Sequence, residues 1–196
     1  IIKTMKIKNF SIVILMLIGV LAFTGCKKDP CESVTCQNGG TCNNGTCNCA
    51  PGFGGTFCDT EITPTTITVT KVVMDQFPPL DNGSDWDGAL CGGANPDIYI
   101  ELWDGSSYIY TSGVISDVVP GTQQTYTLGL PITINNPTGL HDLDLSDNDT
   151  GGCAPDDFMG TLQFVPYQSG QGFPSTIRVY NLSAQIDVTL HVTYTW

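Results

Sequence analysis

Ten aspartates crowd into two stretches of this chain: Asp81, Asp85, Asp87 and Asp97 in the first, and Asp142, Asp144, Asp147, Asp149, Asp156 and Asp157 in the second. Like charges so close repel one another. An oxygen-only cluster suits a hard cation, above all calcium, which takes roughly six to eight oxygens from carboxylates, carbonyls and water. Aspartate also favours turns and helix caps, which accounts for scattered aspartates but poorly for ten in two loops. An EF-hand loop does not fit: Asp147-Asn148-Asp149-Thr150-Gly151 is followed by no closing glutamate and has no helical flanks.

A different pattern fits. Leu143-Asp144-Leu145-Ser146-Asp147-Asn148-Asp149, followed by Asp157-Phe158-Met159-Gly160, resembles the third calcium loop of C2 domains, where a strand ends in Asp-x-Asp and a later Asp-aromatic-x-Gly opens the next strand. Upstream, Asn95-Pro96-Asp97-Ile98-Tyr99-Ile100 resembles the C2 segment in which an aspartate precedes a strand, with Pro96 before the aspartate rather than after it. The resemblance implies calcium ligands at Asp87, Asp97, Asp147, Asp149 and Asp157. Asp81 and Asp85 are alternatives to Asp87 in a first loop longer than usual, and Asp156 is an alternative to Asp157 in the third. It also offers one mode of action, in which a partly coordinated ion bridges aspartates to a lipid phosphate, but the chain lacks the lysine-rich strand that some C2 domains add for acidic lipids, and a surface binding or adhesion module is preferred.

The elements that must position these loops are strands. From residue 62 onward, short alternating segments are separated by Gly, Pro, Asn and Asp, without sustained helical periodicity. In the last segment Ile186, Val188, Leu190, Val192, Tyr194 and Trp196 share one face, and Asp187, Thr189, His191, Thr193 and Thr195 the other. Comparable segments at 66–74, 98–103, 107–111, 125–128, 140–145, 162–165 and 176–180 bring the count to about eight. An all-β, eight-stranded antiparallel sandwich over 62–196 is the expected architecture. Cys91 lies in the first acidic loop and Cys153 in the second. A disulfide between them needs Cα atoms within about 7 Å, so it would make the two loops neighbours.

Residues 31–58 follow another grammar. Cys31, Cys36, Cys42, Cys47, Cys49 and Cys58 are interleaved with Asn38-Gly39-Gly40, Asn44-Gly45 and Pro51-Gly52-Phe53-Gly54-Gly55. So short a segment buries too little apolar surface to fold alone and needs covalent staples. The spacing, including Cys47-x-Cys49, Gly52-Phe53 and Gly55-x-x-Cys58, resembles the EGF-like family. The resemblance implies the pairs Cys31–Cys42, Cys36–Cys47 and Cys49–Cys58. Only Lys28-Asp29-Pro30 precedes the first cysteine, so no calcium is expected in this module. A stiff spacer is preferred over a partner-binding surface.

Residues 1–25 have the features of an export signal: Lys6 and Lys8 after Met5, then an apolar run from Ile12 to Phe23 that is short for a membrane span. Leu21-Ala22-Phe23-Thr24-Gly25-Cys26 resembles a bacterial lipobox, with Phe23 where an aliphatic residue is usual. The resemblance implies cleavage before Cys26, acylation of that residue, a short linker at 26–30, and a lipid anchor in the cell envelope, at the outer membrane or cell surface. Nine cysteines are an odd number for an exported protein, and lipidation of Cys26 leaves eight to pair.

The chain carries 19 acidic against 7 basic residues, and beyond Lys28 only Lys71 and Arg178 are basic. Nucleic-acid binding is excluded, because phosphate contacts need Lys and Arg. Catalysis is not expected: the chain has no nucleophile elbow, no zinc-protease helix motif and no phosphate-cradling glycine loop. His191 alternates with threonines on an outer strand face, and His141 is the nearer of the two to an acidic loop. The expected protein is therefore a surface-anchored lipoprotein whose C2-like domain binds calcium and recognises a protein, glycan or phospholipid at its loops, with Trp86, Leu90, Phe77 and Leu80 as candidate contact residues, Trp86 being equally compatible with packing under the loop. The alternatives are a spacer with a purely stabilising ion and an accessory module of an exported enzyme system.

Overall fold

The computed structural model describes residues 28–87, 95–149 and 155–196. The export segment with Cys26, the candidate contact residue Leu90, and the Cys91 and Cys153 pair lie outside the described residues. All regular structure within them is β.

In the small module, β1 (Thr41–Asn43) and β2 (Thr46–Asn48) form a hairpin. Asn44 and Gly45 turn it, with φ of 49° and 85°. Two successive positive φ values match the right-handed strand twist, and Asn-Gly tolerates them. Next, β3 (Phe53–Gly54) pairs with β4 (Thr60–Glu61). Disulfides join Cys31 to Cys42, Cys36 to Cys47 and Cys49 to Cys58, with Cα–Cα distances of 5.9, 5.6 and 5.2 Å.

The larger unit contains β5 (Thr66–Gln76), β6 (Ile98–Asp104), β7 (Ser107–Thr111), β8 (Gln124–Tyr126), β9 (Ile132–Ile134), β10 (His141–Asp147), β11 (Asp157–Phe164), β12 (Thr176–Asn181) and β13 (Ile186–Thr195). One sheet runs β11-β10-β6-β7. The other runs β12-β13-β5-β8, with β9 also on β5, and every pairing is antiparallel. Alternation explains the stacking: Ile98, Ile100 and Leu102 of β6 and Leu143 and Leu145 of β10 face Ile67, Val69, Val188 and Leu190 of the other sheet in one buried cluster. Each fully buried side chain of this size contributes roughly 1.5–3 kcal/mol of transfer free energy.

One strand is additional to those expected. β9 is three residues long and follows Pro131, too short for a periodic signal, yet Ile134 is fully buried. β11 also begins earlier than expected, at Asp157 instead of Leu162. Its alternation is interrupted by a bulge, with Leu145 opposite Gly160 and Ser146 opposite Phe158, so that Met159 is the extra residue. The bulge turns Phe158 outward, 62% exposed, while Met159 stays buried. It also sets Asp157 opposite Asp147 at the end of the sheet, the re-aiming that bulges perform near sites.

β5 starts beside the small module and ends at the first acidic loop, so the acidic end lies roughly 35 Å from the junction by strand rise. That junction is packed. Phe173 lies 5.4 Å from Phe53 and 4.9 Å from Trp196, centroid to centroid, and stacks on Tyr167 at 5.7 Å. Glu61 accepts hydrogen bonds from the N–H groups of Gly170 (2.7 Å) and Gly172 (3.1 Å) and from the Tyr167 hydroxyl (3.1 Å). Trp196 Nε1 donates to the Ile62 carbonyl at 2.9 Å.

Candidate metal centre

Three loops meet at the far end of the sandwich: the β5–β6, β7–β8 and β10–β11 connections. Asp147 is the last residue of β10. Its alternation with Leu143 and Leu145 points it inward, and it is fully buried. Its Oδ1 accepts the Asp97 N–H at 2.7 Å, while the Asp97 carbonyl accepts the Asn148 N–H at 2.7 Å. These two bonds lock the start of β6 to the end of β10. Its Oδ2 has no hydrogen-bond partner, and neither has the buried Oδ2 of Asp149.

One carboxylate oxygen from each of Asp87, Asp147 and Asp149 lies within 4.8 Å of the other two. Two unit charges at that separation repel by roughly 3.5 kcal/mol at an effective dielectric near 20. Burial pushes the Asp147 carboxyl up to about 6; the Asp97 N–H acts against that shift, and the charges of Asp87, Asp149 and Asp97 add to it. Asp87 is raised by burial and then by Asp97, Asp149 and Asp117. Asp149 is raised by burial and then by Asp157, Asp156 and Asp97. These carboxylates are desolvated, mutually repelling and short of donors, a donor set that fits a hard cation.

The five aspartates named from sequence have distinct places. Asp87, Asp147 and Asp149 form the core of the cluster. Asp97 borders it, with Oδ1 accepting the Asp117 N–H at 2.8 Å. Asp157 stands opposite Asp147 in the ladder and acts on Asp149. Among the alternatives, Asp156 is engaged elsewhere: it accepts from the Tyr99 hydroxyl at 3.0 Å, the Asp149 N–H at 3.2 Å and the Asn148 side chain at 3.4 Å. Asp81 forms a tight turn with Ser84 and accepts from the Asn82 amide at 2.8 Å, and Asp85 is exposed. Asp142 and Asp144 alternate onto the outer sheet face.

Asp117 is a residue that sequence reading missed. It is a lone aspartate in the β7–β8 loop, held at a φ of 54°, and its charge raises Asp87. Nothing local in Ile115-Ser116-Asp117-Val118 marks it; only the meeting of the loops does. Of the candidate contact residues, Phe77 is corrected and Trp86 takes the packed alternative. Trp86 is 7% exposed and donates from Nε1 to the Pro78 carbonyl at 2.8 Å, and Phe77 is 2% exposed. Both are packed beneath the first loop because their apolar surface finds the core there. Leu80 remains 45% exposed. His141 is fully buried at the opposite end of β10, with Nδ1 at 3.0 Å from the Gly139 carbonyl, so it does not reach the acidic end.

No protein-family model matches the chain, and no curated protein matches it. Among solved structures, the chain is similar to one described as the structure of a C2 domain, at 14% identity, covering 67% of this chain and 98% of that one, with a TM-score of 0.44. It is similar to human GIVD cytosolic phospholipase A2 in complex with methyl gamma-linolenyl fluorophosphonate at 15% identity, over 66% of this chain and 17% of that one, with a TM-score of 0.39. A C2 domain of plant extended synaptotagmin 1 matches at 10% identity, over 68% of this chain and 97% of that one, with a TM-score of 0.36. The fold and the site together define an all-β sandwich protein with a disulfide-rich N-terminal module and a carboxylate-lined loop end.

Proposed function

We propose that this protein is a non-enzymatic calcium-dependent binding module of C2 type, exported and held at the bacterial cell surface by a lipid on Cys26, with an EGF-like module as its stalk. Asp87, Asp147 and Asp149 hold the ion, with Asp97 and Asp157 completing the set. The observation that carries this reading is the pair of buried, unpartnered oxygens, Asp147 Oδ2 and Asp149 Oδ2, in a cluster with Asp87. When bound, calcium neutralises the cluster and ties the loops together, and the protein's own residues do the rest. Asp147 and Asp97 orient the site through their shared hydrogen bond, and the loop surface, Leu80 included, meets a protein, glycan or lipid.

The site lies at the opposite end of the strands from the small module. That placement favours a target away from the membrane that holds Cys26. A second reading, in which the ion only stabilises the loops, is favoured by the burial of Trp86 and Phe77, which leaves less apolar surface for a partner.

The test is thermal unfolding of residues 28–196 with millimolar calcium and then with chelator. A rise in midpoint that Asp147→Asn with Asp149→Asn removes establishes the site. An unchanged midpoint across the calcium range removes the proposal. A rise with no partner recovered by calcium-dependent binding assays selects the stabilising reading.

A further inference from the structure

Away from the acidic loops, a trough follows the side of the sandwich where the edge strands β11 and β12 come together. Its widest part, about 850 Å³, lies between the outer face of the β11-β10-β6 sheet and the β12–β13 turn. A hollow of about 290 Å³ continues from it, sharing Gln163 and Tyr180. A third, of about 160 Å³, continues from that one, sharing Gln168, Gln171 and Arg178. The three form one elongated path, the shape of a site for an extended chain.

The walls combine flat rings with neutral hydrogen-bonding groups. Trp103 faces the wide end, its indole braced edge-on by Tyr108 at 5.3 Å. Tyr180 stands at the middle, 56% exposed, with the Arg178 guanidinium over its ring at 5.1 Å. Tyr194 stands at the far end. Between them lie Gln163, Gln168, Gln171 and Asn181. Such amides offer both donors and acceptors.

The charged groups here are already engaged. Arg178 is paired with Asp187. Asp142 takes the Gln163 amide at 2.9 Å and Asp144 the Thr161 hydroxyl at 2.6 Å, each through its Oδ1. The remaining oxygens are oriented acceptors. No lysine lines the path, so an anionic polymer finds no unengaged counter-charge. A peptide strand would draw affinity from apolar side-chain pockets alongside backbone bonds, whereas the wide end is lined chiefly by polar groups.

We propose that this trough binds a neutral linear polysaccharide, independently of calcium. Sugar C–H faces would lie on Trp103 and Tyr180, and hydroxyls would bond to Asp142, Asp144, Gln163 and Asn181. The wide end beside Trp103 holds the best-defined subsite, because its carboxylates are fixed by neighbours before any ligand arrives.

The experiment is affinity electrophoresis of the whole chain through gels containing hydroxyethylcellulose, xylan, galactomannan or β-1,3-glucan, with alginate and polylysine as charged comparisons, all in chelator. Retardation by at least one neutral polymer is expected, falling tenfold or more in Tyr180→Ala and Trp103→Ala. Tyr180 is exposed, so its variant keeps the fold, and unfolding midpoints check the Trp103 variant. No retardation by any neutral polymer overturns the proposal, as does retardation unchanged in Tyr180→Ala. Retardation by polylysine alone, lost in Asp142→Asn with Asp144→Asn, replaces it with a cationic partner. Retardation that is absent in chelator and appears only when the same gels are run with calcium also overturns it and returns the binding to the loops.

Discussion

Two carboxylate sites occupy opposite ends of this molecule, and they are built on opposite principles. At the junction with the small module, Glu61 accepts three hydrogen bonds and is thereby held below the usual carboxylate range, chiefly by the Gly170 N–H. At the loop end, Asp147 has a single donor, and burial among like charges carries it up to about 6. A carboxylate supplied with donors serves as a strut, because its charge is already compensated. Carboxylates without donors store repulsion that a cation relieves. Donor supply, more than the number of acidic residues, separates structure from site.

The largest expected effect tests the strut end. Gly52 has a φ of 87°, and a Cβ there would lie 2.6 Å from Trp196 Cζ2 and closer still to Phe173. Gly52→Ala combines a left-handed backbone penalty with overpacking against two rings, and should cost about 3 kcal/mol. Limited proteolysis between the two units should become faster; unchanged protection would mean that the packed junction contributes little.

Calcium at about 100-fold above its dissociation constant should stabilise residues 28–196 by roughly 2.7 kcal/mol. Titration calorimetry on the same samples checks that the gain follows site occupancy, and Asp147→Asn should abolish both signals.

In chelator the same carboxylate-to-amide change should have opposite signs at the two ends. Asp147→Asn should raise the unfolding free energy at pH 7 by about 2 kcal/mol, since it removes a buried charge while keeping an oxygen for the Asp97 N–H. Glu61→Gln should lower it, in chelator and in calcium alike. Denaturant unfolding of both variants decides; equal signs would erase the contrast.

The smallest effect is in the pH dependence without calcium. Asp147 has a folded pKa above its unfolded value, so its contribution is fully favourable below about pH 4 and is lost as pH rises through about 6. Glu61 has a lowered pKa, so its contribution is present above the unfolded value near 4.5 and is lost as pH falls through the folded one. Unfolding midpoints of Asp147→Asn and Glu61→Gln, compared with the parent across pH 3 to 7, should lose the neutral-side and the acid-side slope respectively.

The sequence by itself determined the elements whose signals are local. The alternation of Ile186, Val188, Leu190 and Val192 appears as a strand whose apolar face is buried, the turn at Asn44-Gly45 as a hairpin, and the interruptions by Gly, Pro, Asn and Asp as an all-β architecture. It also marked the two acidic stretches, although Asp142 and Asp144 stand on β10 and alternate away from the loop end. Only the tertiary structure sorted those aspartates. Asp147 and Asp156 are alike in composition, yet one is inward and unpartnered at Oδ2 while the other is held by Tyr99, Asn148 and the Asp149 N–H. Asp117, the burial of Trp86, the pairing of β9 and the docking of Phe173 under Gly52 likewise depend on residues far apart in the chain. A carboxylate's charge state and availability are set by the donors and dielectric around it, and those arrive only when distant loops and strands are brought together.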